Sequence, residues 1–326
     1  MLLPRCIHNL AKLLLFSTVL FTHAFSGPTH DLNYDTSKPY KVHMKQGSTH
    51  SVELLLIDHP YTSRFLAMRC HEPFSHQLIG DAVLNLKGQY VIDGGAYVGD
   101  TTLFIAKLLK KKMSRAKVIA VDPDQSNIDF INQMAKHNGL DNIITVVGAI
   151  GDKSRDIIIH DKAPNPGAKQ VTERPASHND SKDVVKMFTI DQILSMLNVS
   201  YSDVGFIHLD VEGWEINALT GSPQLLKNYN ADLMLELNPT PSSQNSRTGD
   251  RIDEAVALLQ RYGYHLSHYL PQKGEDTNSY FSKSVHTPNL SPFAIYLRSF
   301  EYSKIVRIVR SWQRKYRMYY CAMPYV

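Results

Sequence analysis

Glycines and acids follow a short hydrophobic stretch near residue 90, in the order Tyr-Val-Ile-Asp-Gly-Gly-Ala-Tyr-Val-Gly-Asp over residues 90–100. Glycine permits a tight turn and lets a ligand approach the backbone closely, and the helix expected after Gly99 would present free N–H groups. The order Asp93-x-Gly95-x-x-x-Gly99 differs from the Gly-x-Gly-x-x-Gly spacing of a dinucleotide site. An acid just before the turn favours a cationic or zwitterionic ligand such as S-adenosylmethionine, although a turn without a ligand would have the same pattern.

A second acid ends the next predicted strand. Val118–Val121 leads directly into Asp122 and Pro123, and an acid at this position in nucleotide-binding α/β folds accepts hydrogen bonds from ribose hydroxyls. Asp122 or Asp124 could equally cap the helix that follows. The third strand ends at residues 148–152, where an adenine would lie. The residues expected to contact the cofactor are Asp93, Gly94, Gly95, Ala96, Gly99, Asp100, Thr101, Asp122, Pro123, Ala149, Ile150 and Gly151.

A further group of titratable residues occupies 206–215, with the sequence Phe-Ile-His-Leu-Asp-Val-Glu-Gly-Trp-Glu. Alternation along a strand places Phe206, His208 and Asp210 on one face and the intervening Ile207 and Leu209 on the other. Ligands bind at the carboxyl ends of strands in open α/β sheets, so this segment predicts catalytic groups. The candidates for a general base are Asp210, which is the first choice, Glu212, His208 and Glu236.

Other roles remain open for the same residues. Asp210 and Glu212 together could hold a divalent metal ion, which would lower the pKa of an acceptor hydroxyl. Glu212 and Glu215 could instead stabilise the N-terminus of the following helix. A histidine inside an apolar strand such as His208 is commonly a core residue with satisfied hydrogen bonds.

The order of these segments resembles the FkbM family of methyltransferases. The likeness rests on Asp-Gly-Gly-Ala-x-x-Gly-Asp followed by Asp-Val-Glu-Gly-x-Glu, with Thr189–Leu194 before the second segment and Leu235–Pro239 after it, and it covers about residues 88–240. The resemblance implies a class I methyltransferase (Rossmann-like) α/β fold, with a mostly parallel seven-stranded sheet and helices on both faces. It also implies S-adenosyl-L-methionine as cofactor and methylation of an oxygen of a sugar or other small molecule. Tyr97 and Trp214 depart from the family's commoner residues.

Strands that alternate with helical patterns extend over much of the chain, which predicts crossover units and a parallel sheet. We expect polar loops at 161–183 and 240–250, a single helix over Glu215–Asn228, and a last strand at Phe293–Leu297. The predicted organisation is a signal peptide or short membrane anchor over 1–26, a linker over 27–50, the methyltransferase domain over 51–300, and a basic amphipathic segment over 301–326.

The N-terminal segment is typical of a signal peptide, because basic residues flank an apolar stretch of thirteen residues and no acid precedes Asp31. We therefore expect entry into the secretory pathway, with membrane anchoring as an alternative. Cys70 and Cys321 would remain after cleavage and could form a disulfide or stay reduced. Sequons occur at Asn179, Asn198 and Asn289.

Charge is concentrated at the C-terminus. Residues 304–317 carry six basic side chains and no acid, so without them the net charge of +4 becomes −2. A nearly neutral body disfavours nucleic-acid binding. The basic segment itself predicts either a helix docked on the domain or weak contact with an anionic membrane surface.

Two other functional classes compete with methyl transfer to a glycan or small molecule. An NAD-dependent oxidoreductase could use a similar sheet, but the glycine spacing disfavours it. A methyltransferase-like domain that has lost catalysis could serve as a binding module, since intact cofactor residues do not establish turnover.

Overall fold

The computed structural model describes residues 40–46, 50–56, 73–112, 114–162, 165–173, 184–229, 232–237, 248–271 and 277–283. The predicted segments 1–26 and 301–326 lie outside these residues, as do Cys70, Cys321 and the strand expected at Phe293–Leu297. None of the helices in the described ranges is both long and apolar enough to cross a membrane.

The main sheet contains seven strands in the order β5-β4-β3-β10-β11-β13-β12. Their bounds are β3 Tyr90–Gly94, β4 Lys117–Asp122, β5 Ile143–Val147, β10 Val204–Leu209, β11 Asp232–Leu237, β12 His265–Pro271 and β13 Thr277–Ser282. All neighbours pair in parallel except β13, which runs antiparallel to both β11 and β12. The predicted mostly parallel seven-stranded sheet is confirmed.

Helices cover both faces of this sheet. Their bounds are α1 Pro73–Leu84, α2 Asp100–Lys111, α3 Gln125–His137, α4 Ile190–Met196, α5 Glu215–Thr220, α6 Pro223–Asn228 and α7 Thr248–Gln260, and a 3₁₀ turn at Tyr201–Asp203 precedes β10. Val91 and Phe206 pack in the core on the side of α1, α2 and α3. Ile92 and Ile207 pack on the side of α4 to α7. Alternate residues of each strand therefore point to opposite faces of the sheet, and each face has its own hydrophobic core.

A second sheet, the accessory sheet, follows β5 in the chain. It has the order β6-β9-β7-β8, with β6 Ala149–Ile150, β7 Arg155–Lys162, β8 Asn165–Glu173 and β9 Val184–Phe188. The prediction of an irregular loop throughout 161–183 is therefore wrong for Asn165–Glu173. Its Pro166 is tolerated because β8 is an edge strand, where the missing N–H does not interrupt a ladder on both sides.

Other sequence predictions also need correction. The expected linker over 27–50 includes strand β1, Tyr40–Gln46, which pairs antiparallel with β2, His50–Leu56. The helix expected over Glu215–Asn228 is divided, because Pro223 begins a new helix after Gly221. A Cβ at Gly221 would lie 2.5 Å from Cα of Asp152, so this break lies directly against the start of the accessory sheet.

The Thr-Ile-Asp element at residues 189–191 joins two helices. Thr189 and Gln192 form a reciprocal capping box at the start of α4. The carboxylate of Asp191 accepts hydrogen bonds from the N–H groups of Gln224 at 3.0 Å and Leu225 at 2.8 Å, which caps α6. This element is therefore explained by helix capping on the face of the sheet away from α2.

Candidate active site

The turn between β3 and α2 is held by hydrogen bonds to the end of β4. The N–H groups of Gly95 and Ala96 both donate to the carbonyl of Val121, at 2.9 and 3.0 Å. Gly95 and Gly99 adopt positive φ angles of 81° and 83°, and Tyr97 also lies in the left-handed region. A Cβ on Gly95 would lie 1.6 Å from the carbonyl oxygen of Asp210. Glycine is thus required here by the approach of β10 as well as by the backbone conformation.

Asp93 lies inside the protein, at the junction of β3, β10 and α2. The residue is fully buried. One carboxylate oxygen accepts a hydrogen bond from the hydroxyl of Thr102 in the first turn of α2, and the other lies 2.7 Å from Nδ1 of His208. The sequence predicted that Asp93 contacts the cofactor, and in the structure its carboxylate binds these two protein groups.

Asp122 ends β4 and organises the adjoining turns. Its Oδ1 accepts hydrogen bonds from the N–H of Asp124 and the amide of Asn127, both at 2.9 Å, and its Oδ2 accepts one from the N–H of Tyr97 at 2.8 Å. Burial raises the pKa of Asp122 to about 6, against the opposing effect of these hydrogen bonds. The cap of α3 is supplied by Asp124, whose carboxylate accepts the N–H of Ser126. Asp122 is therefore not the helix cap.

The segment expected beside an adenine starts next to Asp122. The N–H of Gly148 donates to the backbone carbonyl of Asp122 at 2.9 Å, and Ala149 and Ile150 then form β6 of the accessory sheet. Gly151 donates to the carbonyl of Phe188. These residues thus lie at the carboxyl edge of the main sheet, in a strand that the sequence did not predict.

The loop after β10, residues 210–215, has an unusual backbone. Glu212 and Gly213 both have positive φ angles, of 53° and 97°. Glu215 holds the loop, because its Oε1 accepts the N–H groups of Val211 and Gly213 at 3.1 and 3.0 Å. A non-glycine residue in the left-handed region persists only where its surroundings enforce it.

A buried ion pair supports the same loop. Arg251 of α7 donates to the carbonyl of Gly213 at 2.8 Å, and its guanidinium lies 3.5 Å from Oε2 of Glu215. Burial raises the pKa of Glu215 to about 7, and the hydrogen bonds and Arg251 oppose this rise. Sequence reasoning considered Glu215 as a helix-terminal residue and missed Arg251. An isolated arginine on a helix gives no local signal of a partner 36 residues earlier in the chain.

The candidate bases follow two rows across the sheet. In the first row, His208 of β10 pairs in register with Asp93 of β3 on one side and Met234 of β11 on the other. The second row lies two residues nearer the carboxyl edge and contains Glu236 of β11. Extending the parallel register of β10 and β11 places Asp210 beside Glu236. Phe206 packs in the core that includes α2, and His208 contacts Asp93, which also binds Thr102 of α2, so the predicted shared face of Phe206 and His208 is confirmed. Within the described ranges, no cluster of three or more potential metal ligands occurs.

Trp214 connects this loop to the accessory sheet. Its side chain packs against Ala149, Ile157 and Met187. The guanidinium of Arg155 lies 5.5 Å from the centre of its ring and pairs with Asp152 at 2.6 Å. Trp214, which differs from the family's commoner residue at this position, therefore forms a contact between the candidate catalytic loop and the accessory sheet.

The order of the main sheet, with one antiparallel strand, and the acids at the ends of β3, β4 and β10 define a class I methyltransferase fold. The sequence profile described as "Methyltransferase FkbM domain" matches residues 93–266, more than half of the chain. The chain therefore belongs to the FkbM methyltransferase family. A search of curated proteins gave no match.

Several solved structures are similar to this chain. The methyltransferase FkbM from Methylobacillus flagellatus is 18% identical, with a TM-score of 0.40, over 60% of this chain and 43% of that one. This chain thus spans less than half of that protein. An rRNA methylase from Streptococcus thermophilus is 12% identical over 64% and 96% of the two chains, with a TM-score of 0.40. A Streptococcus mutans methyltransferase in complex with SAH is 10% identical over 64% and 96%, with a TM-score of 0.38.

Proposed function

We propose that this methyltransferase uses S-adenosylmethionine and methylates a hydroxyl oxygen of a sugar or other small molecule. The observation that supports this best is the position of Asp122, at the carboxyl end of β4 beside the glycine turn and residues 148–151. Ligands of open α/β folds bind at this edge, and an acid there suits a ribose. Binding without turnover, or binding of NAD instead, would be the alternative outcomes of the experiment below.

The residues present fit this cofactor. Oδ2 of Asp122 accepts one hydrogen bond from Tyr97, and a carboxylate oxygen can accept two, so it can also receive a ribose hydroxyl. The N-terminus of α2, at Asp100 and Thr101, carries the positive end of the helix dipole and suits the carboxylate of the methionine end. Ala149–Gly151 would border the adenine. Asp93 acts through Thr102, which it anchors in the first turn of α2.

The chain must also position the acceptor and remove its proton. When bound, the cofactor supplies a methyl group on a positively charged sulfur, which an oxygen can attack in line. The carboxyl edge of β10 and β11 carries the candidate bases His208, Asp210, Glu212 and Glu236. Asp210 and Glu236 lie nearest that edge, where they can bind acceptor hydroxyl groups and orient the attacking oxygen.

Calorimetry with S-adenosylhomocysteine tests the cofactor, and radiolabelled methyl transfer across pools of glycans and small metabolites tests the reaction. We expect binding by the wild-type chain and a loss of affinity of at least tenfold in Asp122→Ala, because a ribose contact is removed. Asp129→Ala is the matched control, because Asp129 is an exposed acid on α3. A heat of binding with NAD but not with S-adenosylhomocysteine would overturn the proposal. Binding of S-adenosylhomocysteine without methyl transfer to any acceptor would indicate a binding module.

We also propose that the chain enters the secretory pathway and meets a glycan acceptor there, without binding nucleic acid. The N-terminal pattern supports this, and so does the sequon at Asn198, which is exposed and adopts a left-handed φ of 54° just after α4. N-terminal sequencing and glycosidase treatment of protein from a eukaryotic secretory host test this. We expect loss of Met1 and a glycosidase-sensitive mass shift that is smaller by one glycan in Asn198→Gln. An intact Met1 on protein recovered from the cytosol would contradict it.

A further inference from the structure

Asp93 and His208 form a buried polar contact inside the candidate site. Nδ1 of His208 lies 2.7 Å from Oδ1 of Asp93, and both side chains are buried. The other oxygen of Asp93 is held by the hydroxyl of Thr102. We assign the proton of this contact to Nδ1 of His208, because an ionised carboxylate can only accept hydrogen bonds. The pair therefore leaves the lone pair of the imidazole on Nε2.

We propose that His208, oriented by Asp93, is the general base that accepts the proton of the acceptor hydroxyl. This inference rests on the proposed function and deepens it. A carboxylate beside the far nitrogen of an imidazole fixes its tautomer and stabilises the imidazolium that forms as the proton arrives. An imidazole is also a stronger base than a carboxylate, which suits proton removal better than Asp210 or Glu236.

The step balances as a proton transfer coupled to displacement. The acceptor oxygen forms a bond to the methyl carbon, and the electron pair of the breaking carbon–sulfur bond stays on the sulfur of the cofactor. The proton of the hydroxyl passes to Nε2 of His208, and the imidazolium later releases it to water. Asp93 keeps its negative charge throughout and acts as a positioning residue.

Other titratable groups surround the pair. Glu236 lies on β11, Asp210 follows His208 at the end of β10, and His76 is buried on α1, where its ring packs edge-on against Phe104 at 5.1 Å. The rate should rise with pH as the imidazole of His208 loses its proton. These neighbouring groups shift the midpoint, but a variant without the imidazole should lose this ionisation altogether.

His208→Asn separates catalysis from structure. The asparagine amide can occupy the place of Nδ1–H and still donate to Asp93, but no group then replaces Nε2. We expect the variant to bind S-adenosylhomocysteine within about threefold of wild type and to lose methyl transfer by about 10²–10⁴-fold. His137→Gln, at an exposed histidine on α3, is the control and should retain full activity. Activity in His208→Asn within a few fold of wild type, with the same pH profile, would overturn the inference.

A second measurement does not depend on turnover. Nitrogen-15 NMR of the full chain assigns the tautomer of His208 by comparison with His208→Asn. We expect the proton on Nδ1 in the wild type and a mixture of tautomers in Asp93→Asn. A proton on Nε2 of the wild-type ring would overturn the base assignment alone. A failure of the wild-type chain to bind S-adenosylhomocysteine would overturn the proposed function, which calorimetry shows independently of either histidine result.

Discussion

At the scale of single residues, the glycines of the β3–α2 turn are required mainly by contacts within the protein. A Cβ at Gly94 would approach the side chains of Ile150 and Leu209 within 2.8 Å, and one at Gly99 would lie 2.7 Å from Ile131. The sequence predicted the turn correctly, and it explained the glycines by a tight turn and by the approach of a ligand. Tight packing of β10, β6 and α3 around the turn explains the same residues without one.

Gly95→Ala should therefore destabilise the fold strongly. The new methyl group would collide with the carbonyl of Asp210, and the backbone would keep a φ angle of 81° that alanine disfavours. We expect a loss of more than about 3 kcal/mol in the free energy of unfolding, measured by denaturant titration. Gly139→Ala is the control, since φ is 60° there but no atom lies within 4 Å, and it should lose only about 1–2 kcal/mol. Equal losses at both sites would refute the packing explanation.

Glu215 makes the stability of the domain depend on pH. Its pKa rises from 4.5 in the unfolded chain to about 7 in the fold. The contribution of this shift to the free energy of unfolding is therefore greatest below pH 4.5 and is lost as the pH rises through 7. Glu215→Gln removes this titration. The stability of wild type relative to the variant should therefore fall by on the order of 3 kcal/mol between pH 4.5 and 7.5.

Denaturant titrations across that range measure the difference. Glu254→Gln is the matched control, because Glu254 also approaches Arg251, at 3.9 Å, but its side chain is 57% exposed. We expect the difference in stability between wild type and Glu254→Gln to change much less with pH. A constant difference between wild type and Glu215→Gln at every pH would mean that Glu215 stays ionised in the fold.

At the scale of elements, the strand predicted over Val118–Val121 lies within β4, and the helix expected after Gly99 begins at Asp100. The misses have physical causes. Asn165–Glu173 has no alternating hydrophobic pattern because it is an edge strand. Its backbone hydrogen bonds to β7 hold it in the sheet although many of its residues are polar. His208 and Asp93 are 115 positions apart in the chain. Alternation predicts which face of the sheet His208 lies on, but it does not predict that β3 is the strand beside it.

Asp191 provides a prediction for the helices. Asp191→Ala removes the acceptor for two N–H groups at the start of α6, so we expect a loss of about 1–2 kcal/mol in the free energy of unfolding. Affinity for S-adenosylhomocysteine should stay unchanged, because this cap lies on the face away from α2. Asp129→Ala serves again as an exposed acidic control and should change stability by less than about 0.5 kcal/mol. A large loss of affinity in Asp191→Ala would instead place the Thr-Ile-Asp element in the cofactor site.

At the scale of the whole molecule, the two sheets meet beside the candidate site. β6 follows β5 after a single glycine, and β9 leads directly into α4, so the chain leaves the main sheet and returns to it next to residues 148–151. Trp214 is the side chain of the candidate catalytic loop that packs on this accessory sheet. The order of the accessory sheet thus depends on a residue of the loop that carries Asp210 and Glu212.

Trp214→Ala should therefore loosen the accessory sheet while the main sheet stays closed. Loss of the packing with Ile157 and Met187, and of the support that the indole gives to Arg155, removes some of the contacts that join the two sheets. Hydrogen–deuterium exchange should show faster exchange in β7 and β9 and unchanged exchange in β3 and β4, because local opening does not require unfolding of the whole domain. Trp214→Phe, which keeps an aromatic ring, should restore most of the protection. Uniformly faster exchange in both sheets would show instead that they unfold as one cooperative unit.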